Sequence, residues 1–346
     1  MGPQFEGLGR VESINLVRKS SPSEVPLAVL VVGGAGYIGS HAARALRRAR
    51  YQVIIYDNLS TGFRRLADGF ELIEGDIADS SKLSSVLARV DAIMHFAAHA
   101  YVGESVENPR KYFRNNVTGA LSLLNSAVDA GVRHFVFSST CAVYGVPQSV
   151  PITEQNPREP INPYGATKLA FENALEAYSR AYGLRSARLR YFNAAGADDS
   201  GEIGELHDPE THLIPLALAA TTPNSPELQV FGDDYPTPDG TCLRDYIHVN
   251  DLADAHVRAL QHLEQGGDSL ALNLGTGKGN SVLEVIHAAE KATGQPVRRK
   301  IGPRRPGDPP ILVADSSKAH RLLNWTPQRD LANIVSTAWN FTRANQ

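Results

Sequence analysis

The hydrophobic pattern opens with an unbroken apolar run at residues 27–32 that stops abruptly at Gly33. A run of that length without alternation suits a strand buried on both faces. The same texture returns at 52–56, 70–77, 92–98, 134–137 and 186–192, with segments of helical length or turns between them. The helical segment 163–182 sets Tyr164, Lys168, Phe171, Leu175, Tyr178 and Tyr182 at steps of four and three, one stripe that should face the core. A helix is also predicted over 112–130, with Asn116 in its first half, and another begins near Ser80. Strand and helix in alternation specify a doubly wound parallel α/β sheet with ligands at the carboxyl ends of its strands. Past residue 193 the pattern loosens: 197–246 is rich in Pro, Gly and Asp, and helices are predicted at 252–265 and 281–293. The expectation is a first domain over 27–193 and a smaller, loop-rich α/β domain over 194–346 that returns some segments to the first.

Composition works mainly by exclusion. The 346 residues are 42% hydrophobic and 21% charged with a formal net charge of -3, so neither disorder nor a polyanion-binding surface is indicated and no nucleic-acid partner is expected. Arg44, Arg47, Arg48 and Arg50 read as the solvated face of a helix. No stretch approaches the roughly 20 apolar residues of a membrane span, so no membrane partner is expected. Cys141 and Cys242 cannot form a disulfide framework, which fits a reducing cytosol; neither is spaced as a metal ligand, and no metal is expected. Residues 1–26 are polar and interrupted and are expected to be a disordered leader.

Chemistry enters at the ends of the predicted strands. Gly33, Gly36 and Gly39 are spaced G-x-x-G-x-x-G across a strand-to-helix junction. Gly33 suits a tight turn, Gly36 lets the backbone approach a pyrophosphate at the helix N-terminus, and Gly39 permits close packing of helix on strand. Asp57 and Asn58 follow about twenty residues on, where a carboxylate binds adenosine ribose hydroxyls and repels a 2'-phosphate, favouring NAD over NADP; the plainer alternative for Asp57 is a turn former. Asp76 and Ile77 end the third strand, placed to contact adenine or, for Asp76, to cap the next helix. Lys168 stands in an apolar row, where an ammonium is costly without a partner. Tyr164, one turn earlier and beside a cofactor, would supply one; the alternative is a core tyrosine with Lys168 snorkelling at the edge. Arg244, Arg304 and Arg305 carry guanidinium forks suited to a diphosphate, or else pair with surface acids.

Together with the glycine spacing, Ser138-Ser-Thr140, Tyr164-x-x-x-Lys168 and Tyr191-Phe-Asn193 resemble the extended short-chain dehydrogenase/reductase superfamily, and more closely its UDP-galactose (UDP-glucose) 4-epimerases. Asp57-Asn58, Gly103-Glu-Ser105, Asn115-Asn116-Val117, residues 244–249 and the basic turn 303–308 stand in the order of that family. The resemblance implies a Rossmann domain holding NAD against Gly33, Gly36, Tyr37, Ile38, Gly39, Asp57, Asn58, Asp76, Ile77, Phe96, Ala97, Ala98, Asn116, Ser138, Tyr164, Lys168 and Tyr191. It implies a UDP-sugar lying against Thr140, Tyr164, Asn193, His212, Leu213, Gln229, Phe231, Arg244, Arg305, Asp308 and Leu312.

In the implied reaction Tyr164 takes the sugar 4-hydroxyl proton while the C4 hydride passes to NAD, and the 4-keto sugar turns over to receive the hydride on its other face. Bringing a tyrosine from a pKa of about 10 to near 7 takes roughly 4 kcal/mol, which Lys168 and the nicotinamide ring would supply. Thr140 would bond the 4-oxygen. Related 4,6-dehydratases carry an Asp-Glu pair directly after the Thr140 position; Cys141 and Ala142 stand there instead, which disfavours water elimination. Departures from the best-known members include Val32 for a threonine, Ala98-His-Ala100 for Gly-Leu-Lys, and His212 for a substrate-binding asparagine. Leu312 occupies the gate to the sugar pocket, and its bulk implies poor use of N-acetylated sugars. The chain also resembles the UDP-arabinose (UDP-xylose) 4-epimerases through residues 138–145 and 238–242. An oxidoreductase that releases NADH and a non-catalytic NAD sensor are the readings from other classes. The family resemblance implies a cytoplasmic homodimer joined through a four-helix bundle to which 112–130 and 163–182 contribute.

Overall fold

The computed structural model describes residues 26–305 and 308–345. The leader expected at 1–26 lies outside them except for Pro26, as do Pro306 and Gly307 of the basic turn and Gln346. The first half alternates β1 (Ala28–Val32), α1 (Tyr37–Arg48), β2 (Gln52–Asp57), β3 (Glu71–Glu74), α2 (Ser80–Leu87), β4 (Ala92–His95), α3 (Val102–Glu107), α4 (Pro109–Phe113), α5 (Ala120–Asp129), β5 (His134–Thr140), α6 (Pro163–Tyr182) and β6 (Arg185–Tyr191). Then come β7 (Asn193–Ala195), α7 (Leu213–Ala219), β8 (Leu228–Phe231), β9 (Leu243–Arg244), β10 (Tyr246–His248), α8 (Val249–Glu264) and β11 (Leu270–Leu274). The chain closes with β12 (Asn280–Ser281), α9 (Val282–Thr293), β13 (Arg299–Gly302), β14 (Ile311–Leu312), α10 (Ser317–Leu323) and α11 (Leu331–Ala344).

The doubly wound sheet expected from the alternation is present, with seven parallel strands in the order β3-β2-β1-β4-β5-β6-β11. The pattern does not single out β11, whose five residues sit in a stretch with no regular alternation around them. The uninterrupted apolar reading of β1 follows from two covered faces. Val29 and Val31 point into one core with Leu46, Leu252, Leu260 and Trp325; Leu30 and Val32 point into the other with Leu87, Leu123, Phe135 and Phe171. A separate core of Ile214, Leu218, Val230, Ile286, Ile334 and Val335 lies among α7, α9 and α11.

Local sequence sets the limits of α6. The Asn162 side chain accepts the Gly165 N–H at 2.8 Å, Pro163 occupies the first turn, and Gly183 ends the helix in the left-handed region at φ 69°. Its stripe is core-facing only in the middle: Lys168, Phe171 and Leu175 are buried, whereas Tyr164 and Tyr178 are half-buried and Tyr182 is exposed. The helix predicted over 112–130 is interrupted, because α4 passes into a π-helical stretch at Arg114–Gly119 before α5 begins. The cap of α2 is Asp79, which accepts the Lys82 N–H at 3.0 Å. Asp76 instead accepts from Asn58 Nδ2 at 3.0 Å and from the Ala78 N–H at 2.9 Å.

Candidate active site

Strand order reverses between β1 and β4, so the turns at their carboxyl ends diverge and leave a crevice. Gly33 turns there with φ +81°, and a Cβ on it would stand 2.4 Å from the Ala97 nitrogen. A Cβ on Gly39 would stand 2.2 Å from Gly33 O. Packing within the protein therefore requires both glycines. Gly36 differs, since an added Cβ would meet a single atom, Gly33 O at 3.3 Å. Gly36 is also the N-cap of α1, where no side chain caps the helix and the first turn holds no acid. A helix N-terminus left open in this way has free N–H groups for a diphosphate. The residues at this turn fit NAD.

The expected cofactor residues reach this crevice in different ways. Asp57 Oδ2 accepts the Ala35 N–H at 2.9 Å and Oδ1 accepts the Leu59 N–H at 2.8 Å, so the carboxylate also ties the glycine turn to β2. Burial pushes its carboxyl up, and those two bonds oppose the push. The Tyr37 ring is buried and its hydroxyl donates to Gly196 O at 2.6 Å, which leaves the backbone for a ligand. Ile77 is likewise buried, beneath Gly119, while Asn58 and Asp76 are exposed together. The Phe96 and Ala97 N–H groups both donate to Val32 O, at 2.7 and 3.1 Å, setting their turn and Ala98 beside Gly33. Asn116, on the π-helical stretch, accepts the His99 N–H at 2.9 Å and donates to His99 O at 2.9 Å and to Thr167 at 3.2 Å.

Tyr164 and Lys168 meet the end of β5. Gly165 lies so near the turn after Thr140 that a Cβ on it would stand 2.5 Å from Ala142 O. This approach brings Tyr164 beside the Thr140 hydroxyl, which itself accepts the Ala142 N–H at 3.1 Å. Lys168, 3% exposed, donates from Nζ to Ser138 O at 2.7 Å and lies 4.9 Å from the Phe137 ring centroid and 5.9 Å from that of Tyr164. The polar partner that the apolar row called for is therefore a backbone carbonyl, with Tyr164 a neighbour. Burial raises the Tyr164 hydroxyl to about 12, with the nearby Thr140 hydroxyl acting the other way. It lowers Lys168 to about 7, with Glu172 acting the other way. Ser138 and Tyr191 join their hydroxyls alongside.

Sequence reasoning passes over the group beneath this pair. Glu172, fully buried on the same face of α6, accepts from Arg190 Nε at 2.8 Å, from Arg190 Nη2 at 2.6 Å and from Ser139 Oγ at 2.6 Å. Burial works against its ionisation, but those bonds win and hold it below the usual carboxylate range. Its readable signal is a second charge, four residues after Lys168, in a row that is otherwise apolar.

The remaining expected residues come from the second half. Arg244, on β9, pairs with Asp308 and stands in register with Leu312 of β14; its charge reaches Cys141, the neighbour of Thr140. Asp245, also missed, accepts from Thr276 N at 2.8 Å, Gly277 N at 3.0 Å and Ala314 N at 3.1 Å, and so binds two loops to the link between β9 and β10. Asn193 begins β7, which pairs with β10. Arg305 stacks 4.0 Å from the Phe231 ring centroid, and Gln229 lies beside them on β8. Arg304 is paired with Asp234 at 2.6 Å, the surface-acid alternative. His212 is the N-cap residue of α7, just before Leu213, and gathers with Glu205, His207 and Glu210. Burial disfavours protonation of both histidines, but the facing carboxylates outweigh it, raising His207 to about 9 and His212 to about 10.

The model for the NAD dependent epimerase/dehydratase family matches residues 29–275. A UDP-glucose 4-epimerase of Rhizobium meliloti is 54% identical over 321 residues, covering 92% of this chain and 98% of that protein. The crystal structure of a UDP-glucose 4-epimerase from Brucella ovis in complex with NAD is similar with a TM-score of 0.89 and 51% identity, covering 91% of this chain and 98% of that one. One from Bifidobacterium longum, in complex with NAD+ and UDP, is similar with a TM-score of 0.86 and 39% identity, covering 92% and 98%.

Proposed function

The chain belongs to the NAD dependent epimerase/dehydratase family, and on that premise we propose that it inverts C4 of a UDP-hexose, interconverting UDP-glucose and UDP-galactose. The observation that carries this reading is Tyr164 set beside Thr140, with buried Lys168 5.9 Å from its ring centroid, at the edge of a crevice whose glycine turn fits NAD. Cys141 and Ala142 follow Thr140, so no acid and base stand ready there for elimination. Relatives named UDP-glucose 4-epimerase, at 47–54% identity over most of the chain, support the hexose.

NAD, when bound, supplies reversible hydride acceptance at C4. Gly33, Gly36, Ile38, Gly39 and Asp57 would hold it, within residues 27–193. Tyr164 takes the proton of the 4-hydroxyl and later returns it, with Thr140 orienting the 4-oxygen. Ionising a phenol of pKa about 12 at neutral pH asks for roughly 7 kcal/mol. An ammonium on Lys168 supplies part of this, and exclusion of water strengthens it. Residues 194–346 hold the nucleotide: Arg244, Arg305 and Asp308 at the diphosphate, with Asn193, His212, Leu213, Gln229 and Phe231 around it. Leu312 keeps N-acetylated sugars poorly used. The protein acts as a cytoplasmic homodimer, with its two cysteines unpaired.

The test is incubation of the purified protein with UDP-galactose, UDP-xylose and UDP-N-acetylglucosamine separately, without added cofactor, following each pair of 4-epimers. Rapid conversion of UDP-galactose without accumulation of NADH is expected. Preference for the pentose pair would move the assignment to that branch, and NAD-linked oxidation without epimerisation would end it. Tyr164→Phe should lower turnover about 10²- to 10⁴-fold while NAD stays bound; unchanged turnover would exclude Tyr164 as the base.

A further inference from the structure

The loop before α7 carries a constellation of which the proposed reaction uses only His212, beside the nucleotide. Glu205, His207, Glu210 and His212 each turn one donor atom inward, and all four atoms lie within 4.8 Å of one another. His207 Nδ1 stands 3.3 Å from Glu205 Oε1 and 3.5 Å from Glu210 Oε2. His212 Nδ1 stands 2.9 Å from Glu205 Oε1 and 2.9 Å from Glu210 Oε1. A tetrahedral zinc ion with bonds of about 2.0–2.1 Å holds its ligand atoms roughly 3.3–3.4 Å apart. The His–Glu separations, which use both oxygens of Glu210, are near that length, while the four donor atoms as a set span up to 4.8 Å, so an ion would draw them closer together.

Hydrogen bonding within the loop satisfies this arrangement only in part, through His212 Nδ1 and Glu210 Oε1 at 2.9 Å. His207 Nδ1 is buried without a hydrogen-bond partner, aimed between the two carboxylates. The Thr211 and His212 N–H groups both donate to Glu210 Oε1, at 2.7 and 2.8 Å, fixing that carboxylate with Oε2 toward His207. Tyr37 and Tyr101 wall the cluster, their ring centroids 6.3 and 6.0 Å from that of His207. The Glu205 side chain is 7% exposed, those of His207 and Glu210 21% and that of His212 44%, so the cluster is most open on the His212 side. Two imidazoles and two carboxylates form a donor set of intermediate softness, suited to zinc rather than to magnesium or calcium.

We propose that Glu205, His207, Glu210 and His212 form a binding site for a zinc-type divalent ion that pins the loop ahead of α7 against Tyr37 and Tyr101. The alternative occupant is protons alone, with two imidazolium groups neutralised by two carboxylates. Chelator-stripped full-length protein titrated with zinc against a chromophoric indicator should bind one ion per chain. Cobalt should give the strong visible absorption of a four-coordinate ion, abolished by added zinc. His207→Ala and Glu205→Gln should each weaken zinc binding roughly tenfold or more, while Glu202→Gln, exposed on the same loop, should leave it unchanged. Absence of stoichiometric binding by the wild-type protein, a weak six-coordinate cobalt spectrum, or undiminished affinity in the folded variants would overturn the site. Should the variants not fold, the wild-type stoichiometry and cobalt spectrum decide. None of these readouts depends on epimerase activity.

Discussion

An added methyl group would act differently at Gly33 and at Gly36, both in the turn after β1. At Gly33 it meets the Ala97 backbone at 2.4 Å, and φ is +81°. Gly33→Ala is expected to cost ~1–3 kcal/mol in backbone strain before the clash is counted, measured by urea unfolding. Gly36 has φ -87°, open to any residue, and its Cβ would meet only Gly33 O. Gly36→Ala should therefore stay within ~0.5 kcal/mol of the wild type when stripped of dinucleotide, yet purify with far less NAD bound. Equal loss of stability in the two variants would refute this division of labour. The G-x-x-G-x-x-G spacing and the Tyr164–Lys168 pair are legible in sequence because turn and helix geometry fix them within a few residues. The ionisation of that pair is not legible. It depends on burial, which leaves Tyr164 at about 12 and Lys168 at about 7, and burial depends on residues distant in the chain.

Among elements, the Glu172–Arg190 pair fixes α6 against β6 and, through Ser139, against β5, and so sets where Tyr164 and Lys168 stand relative to Thr140. Removing one partner of a buried pair leaves the other charge unpaired. Glu172→Gln should destabilise by ~3–5 kcal/mol at neutral pH, by chemical denaturation. Because the folded protein holds Glu172 below its ordinary range, its contribution is complete above the unfolded value of about 4.3 and fades as pH falls through the lower folded value. The gap between wild type and variant should accordingly narrow below about pH 4; a gap constant down to pH 2 would contradict the linkage. The caps of α6 and its length are plain in the sequence, since Asn162, Pro163 and Gly183 act locally. The π-helical stretch that carries Asn116 to His99 and Thr167 is not, because those partners lie on other elements.

For the molecule as a whole, Val106, Phe113 and Tyr182 are large apolar side chains left exposed on α3, α4 and α6, at 62%, 44% and 63%. Covering them in a homodimer predicts a sedimenting mass twice the 37.4 kDa of one chain, shifted toward the monomer by Phe113→Glu; a monomer at all concentrations would exclude the assembly. At this scale β11 and Asp245 tie late segments of the chain to early ones or to one another. β11 adds to the sheet beside β6, and Asp245 holds loops from residues 276–277 and 314. The sequence by itself determined what a few neighbouring residues dictate: the strand and helix alternation, the caps, the glycine turn, and Tyr164 one turn above Lys168. Tertiary structure alone decided that Glu172 meets Arg190, that Lys168 bonds Ser138 O, and that α6 presses Tyr164 onto Thr140. It also decided that the carboxylates and imidazoles of residues 205–212 converge. The physical reason is that buried polar groups must find partners, and those partners are set by the packing of the whole chain rather than by spacing along it.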